Sequence, residues 1–136
     1  MESRRTQQCF APSARRPAAR GVQVRVQIDA VGARYSRPPI EHELRTRGVT
    51  VARFLPPTLP FSHPYFNLRN HRKLMLVDGA VGFCGGMNVR DECLLSLALP
   101  SATQDFHFEL RGSVVSQLMT ALAFDWEFTT GEKLGG

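Results

Sequence analysis

The stretch NHRKLMLVDGAVGFCGGMN, residues 70–88, decides how the rest of the chain is read. Leu74, Met75, Leu76 and Val77 form an apolar run bounded by a turn signal, which predicts a strand buried on both faces. A run this short also fits a helix segment. Asp78-Gly79 supplies the turn, because a tight type I′ hairpin needs positive φ at both central positions. Residues 80–84 (AVGFC) read as the returning strand.

A two-residue loop at 78–79 sets a register that pairs Val77 with Ala80, Lys73 with Cys84, His71 with Gly86 and Arg69 with Asn88. Strand side chains alternate, so His71 and Lys73 project from one face, with Asn88 on that face diagonal to His71. Gly85 and Gly86 leave the space opposite the histidine free of side chains, where backbone can approach closely. An imidazole, an ammonium and an amide then converge on a gap suited to phosphate. Lys73 offers charge, Asn88 offers N–H donors, and His71 offers a nucleophile or proton carrier.

His71, Lys73, Asp78, Gly85 and Asn88 stand at the spacing of the HxK…D…G-(G/S)-x-N signature of the phospholipase D superfamily. The surroundings NLRNHRKLMLVDG and GFCGGMNVRDE most resemble the amino-terminal half of bacterial cardiolipin synthases, and the likeness runs over roughly residues 14–132. The resemblance implies an α/β fold, a mixed sheet flanked by helices, equivalent to most of one phospholipase D-like half. In that superfamily an acidic residue near position 105 accepts a hydrogen bond from the nucleophilic histidine, and Asp105 is the matching residue here. Its approach, QDF, departs from the tryptophan-containing approach common in cardiolipin synthases. A carboxylate on imidazole Nδ1 fixes the tautomer that presents Nε2 to phosphorus.

At 136 residues the chain is long enough for one core, and its 43% hydrophobic and 21% charged residues describe an ordinary globular composition. Residues 1–13 read as a basic, disordered tail and 14–136 as a single, partial domain. Six arginines against one acidic residue in positions 1–25 account for the net charge of +5, and the remainder carries 11 basic and 11 acidic groups. The basicity belongs to the tail, which makes nucleic acid a weaker partner than lipid. No apolar run reaches the roughly 18–20 residues that span a bilayer, so the expected location is cytoplasmic and peripheral to the membrane. Cys9, Cys84 and Cys93 form no C-x-x-C pair and fit a reducing compartment. The spacings of His63, His71, His107 and the cysteines match no zinc pattern, and neither metal nor cofactor is expected.

Residues 14–20 fit the last turns of a helix closed by Gly21, and Val22–Ile28 alternates as a half-buried strand that is short of a neighbour if the front of the domain is missing. Asp29, at its end, either lines the site or serves a turn. Ser36 before two prolines starts a short helix that Gly48 ends, and residues 49–54 form a second strand. Residues 55–68 hold four prolines with Phe61, His63, Tyr65 and Phe66, a loop that either walls a cleft or packs itself down. Residues 89–99 fit strand or irregular structure alike. Phe106, Phe108 and Leu110 alternate as a strand, and residues 113–128 form an amphipathic helix ended by Gly131.

The resemblance further implies a two-step phosphodiester cleavage or phosphatidyl transfer through a phosphohistidine on His71, with Lys73, Asn88, Gly85 and Gly86 around the phosphate. Asp78, at the turn, is read as orienting the hairpin and nearby basic groups. One motif supplies one histidine, so a second HxK half or a homodimer partner is required. Three functions remain open: an incomplete cardiolipin synthase-like phosphatidyltransferase acting on a phosphatidylglycerol-like lipid, a homodimeric nuclease or phosphodiesterase, and a non-catalytic remnant that binds phosphate or lipid headgroups.

Overall fold

The computed structural model describes residues 20–30, 32–35, 39–55, 69–89, 93, 100 and 102–134. Outside them lie the tail, all of the helix expected over 14–20 except Arg20, the start at Ser36, the aromatic loop with Phe61, His63, Tyr65 and Phe66, and most of 89–99. The chain divides into two compact units, one drawn from Met1–Asn70 and Val89–Thr103, the other from His71–Asn88 and Gln104–Gly136.

In the first unit, β1 (Arg25–Asp29) pairs in parallel with β2 (Thr50–Phe54), from Arg25 opposite Thr50 to Asp29 opposite Phe54. A 3-10 turn (Gly32–Tyr35) and α1 (Ile40–Thr46) connect them, the crossover that a parallel pair requires. Ile40, Leu44, Val49 and Val51 form the core, with Val24, Val26 and Ile28 packed against it. The strand expected over 22–28 therefore starts three residues later, and β2 is its neighbour. Asp29 serves a turn: its Oδ2 accepts from Gly32 N at 2.9 Å and from Arg69 Nη2 at 2.8 Å.

The second unit is an antiparallel sheet in the order β3 (Leu74–Val77), β4 (Val81–Gly85), β5 (His107–Arg111), followed by α2 (Ser113–Thr130). Asp78 and Gly79 do adopt positive φ, 50° and 64°, and Ala80 N donates to Val77 O at 3.0 Å. The loop, however, also takes in Ala80. Val77 pairs with Val81 and Leu74 with Cys84, one residue away from the register expected of a two-residue turn. A shift of one residue exchanges which side chains share a face across the strands.

Burial on β3 is one-sided: Leu74 and Leu76 are half-buried, while Met75 and Val77 are 54% and 42% exposed. This corrects the expectation of a strand buried on both faces. The covered face meets α2 through Gly82, whose missing side chain would stand 3.1 Å from Leu76 Cδ2 and 3.7 Å from Leu118 Cδ1. Helix α2 buries Val115 and Trp126 completely, and the Trp126 Nε1–H donates to Glu132 Oε2 at 2.9 Å. Its end at Gly131 is where the sequence placed it.

Candidate active site

His71 and Lys73 stand in the irregular segment that leads into β3, and one ladder bond, Gly85 N to Lys73 O at 3.3 Å, continues the sheet back to Lys73. The Lys73 ammonium donates to the carbonyl oxygen of His71 at 2.8 Å and lies 3.4 Å from His71 Nδ1. The imidazole is exposed and Lys73 half-buried. The structure thus brings these two groups together, with the ring open to a ligand.

The glycine pair is placed differently from the expectation. Lys73 lies across from Gly85, which in turn pairs with His107. A side chain on Gly85 would meet Phe106 O at 2.1 Å and His107 Nδ1 at 2.8 Å, and one on Gly86 would meet the Asp105 carboxylate oxygens at 2.6 and 2.8 Å. The space the glycines leave open is taken by the chain's own residues 105–107. These glycines let the approach to β5 press against the end of β4, and they bring Asp105 to the site end of the sheet.

Asp105 Oδ1 accepts from Phe106 N at 2.7 Å, and among the described residues no hydrogen bond joins Asp105 to His71. Asn88 is exposed and lies three residues past the end of β4, where strand alternation no longer sets its face. Asp78 lies seven residues from His71, roughly 20 Å along an extended chain. It belongs to the turn and not to the group around the imidazole.

Two side chains adjoin the site that the sequence reading left out of it. His107 shares a cross-strand row with Lys73 and Gly85, a relation that the alternation of Asp105 and His107 could have signalled. Arg72, between the two site residues, is hydrogen-bonded to Asp125 of α2. No sequence pattern links positions 72 and 125. Among the described residues no group of three His, Cys, Asp or Glu side chains is gathered as metal ligands would be.

No protein-family model matches the chain. It is 43% identical over 118 residues to the cardiolipin synthase of Geobacillus kaustophilus (strain HTA426), a match covering 86% of this chain and 23% of that protein. Cardiolipin synthase 2 of Bacillus cereus (strain ATCC 14579) is 41% identical over 113 residues, covering 82% and 22%. Cardiolipin synthase of Listeria monocytogenes serotype 4a (strain HCC23) is 35% identical over 111 residues, covering 82% and 23%. The region matched in the Geobacillus kaustophilus relative is its amino-terminal part.

The relatives it matches are cardiolipin synthases, which belong to the phospholipase D superfamily. The chain spans 23% of the length of the first of them. In this chain His71 and Lys73 set an exposed imidazole beside an ammonium at the entry to β3. An imidazole in that position can attack an electrophilic phosphorus, and the ammonium can meet the charge that then grows on the non-bridging oxygens.

Proposed function

We propose that this chain is an incomplete half of a phospholipase D-type phosphatidyltransferase acting on a phosphatidylglycerol-like lipid at the membrane surface. The observation that carries the reading is the exposed His71 ring with the Lys73 ammonium 3.4 Å from its Nδ1. His71 Nε2 attacks phosphorus, and the bond from phosphorus to the headgroup alcohol breaks. A histidine from a second HxK motif gives its proton to the departing oxygen. An acceptor alcohol, or water, then attacks the phosphohistidine and loses its proton to that second histidine, and His71 leaves.

Attack through Nε2 needs the proton on Nδ1, whereas Lys73 donating to Nδ1 would require the opposite tautomer. An arriving phosphate supplies the resolution. It draws the Lys73 ammonium to its own oxygens and leaves Nδ1–H for the Asp105 carboxylate. Lys73 and Asn88 hold the non-bridging oxygens, Asp78 keeps the hairpin turn, and no metal takes part. The nuclease alternative has little charge to work with: outside positions 1–25 the chain carries 11 basic and 11 acidic groups.

The test uses the full chain supplied with a complementary HxK half and phosphate-labelled phosphatidylglycerol. Brief incubation should leave acid-labile label on His71, and His71→Asn should remove both label and turnover. Label that persists in the His71→Asn protein sinks the assignment.

A further inference from the structure

Arg72 stands between the two site residues with its side chain on the other side of the backbone. Successive side chains of an extended segment alternate, so His71 and Lys73 share one face and Arg72 takes the face toward α2. There its guanidinium donates to Asp125 Oδ2. Asp125 immediately precedes the fully buried Trp126, and its side chain is 16% exposed against 58% for Arg72. The carboxylate is therefore fixed by a packed helix, and the arginine reaches to it from the segment that carries the imidazole. That segment precedes β3 and lies outside the regular strand, so the ladder alone does not hold it in place.

We propose that the Arg72–Asp125 pair positions the nucleophile, tying residues 71–73 to α2 so that the His71 ring and the Lys73 ammonium keep one attack geometry. The inference rests on His71 being the nucleophile. Magnitudes decide where its effect falls. A partly exposed ion pair adds little to global stability, whereas displacing a reacting group by about 1 Å can lower a rate on the order of 10²-fold. The pair acts on rate, with little effect on folding.

The experiment compares the full chain with Arg72→Met, Asp125→Asn and the exchanged pair Arg72→Asp/Asp125→Arg, first by NMR. In the single variants the His71 ring protons and the amides of 71–73 should shift and broaden. The exchanged pair should restore them, with melting temperatures close to the parent throughout. With a complementary half present, each single change should lower kcat by about 10- to 100-fold while KM stays nearly constant. Arg72→Lys should fall between, since it keeps the charge without the guanidinium fork.

Unchanged His71 resonances in the single variants overturn the proposal. So does a rise in KM at constant kcat, which would make Arg72 a substrate contact, or an exchanged pair no better than its singles. Asp125→Asn preserves side-chain shape and serves where a bolder variant fails to fold. If resonances are lost and regained but no protein, parent included, turns over lipid, the positioning stands and the phosphatidyltransferase reading falls.

Discussion

Gly85 and Gly86 are neighbours with unlike surroundings, and alanine at each should fail in a different way. At Gly85 a methyl group would stand 2.1 Å from the Phe106 carbonyl oxygen, a backbone atom of the approach to β5. The β4–β5 ladder has to part, and overpacking of this kind costs about 3 kcal/mol. At Gly86 the methyl would meet the Asp105 carboxylate at 2.6 Å, the end of an exposed side chain that can turn away. Gly85→Ala should therefore lower the urea midpoint, followed by circular dichroism. Gly86→Ala should fold nearly as well as the parent and lose turnover with a complementary half. A Gly86→Ala protein with full turnover would take Asp105 out of the chemistry. The sequence marked this glycine pair as a place of close backbone approach, and the approach is real. What it could not show is that the visitor is the chain's own Asp105–His107 segment, because that contact joins positions some twenty residues apart.

Among the elements, α2 and the Asp78-Gly79 turn were legible and the hairpin register was not. The amphipathic pattern over residues 113–128 identified the helix, and its fully buried pair is Val115 and Trp126. Dipeptide chemistry gave positive φ at 78 and 79, but whether Ala80 joins the ladder depends on how β4 meets β5, and no local signal carries that. The one-sided burial of β3 was hidden for a related reason. Leu74–Val77 is apolar throughout, so composition did not distinguish Leu76, which packs beneath α2, from Met75, which is 54% exposed. Gly82 sets how closely the helix approaches the sheet. Its Cβ position lies 3.1 Å from Leu76 Cδ2, the far end of a flexible side chain that can give by a few tenths of an ångström. Gly82→Ala should be close to neutral, and Gly82→Val should cost about 1–3 kcal/mol as α2 is pushed outward. Equal urea midpoints for the valine variant and the parent would show that this contact is loose.

For the whole molecule, the governing fact is that the chain spans 23% of the length of the cardiolipin synthase it matches at 43% identity. It carries one HxK motif, and a positioned general acid typically contributes roughly 10²–10⁴-fold. The chain alone should be nearly inert toward phosphatidylglycerol, and adding a half with its own HxK motif should raise the rate by that range. Specific activity against protein concentration, with size-exclusion chromatography on the same samples, reads this directly. Concentration-independent turnover from a verified monomer would refute the two-histidine mechanism. The parallel β1–β2 pair and the antiparallel β3–β4–β5 sheet belong to separate units, and the chain's single tryptophan lies in the second, 1% exposed and hydrogen-bonded to Glu132. Trp126 is thus a built-in optical reporter. Its emission should be blue-shifted in the folded chain and should move to the red when the unit carrying His71 opens, while unfolding of β1, α1 and β2 goes unseen at that wavelength.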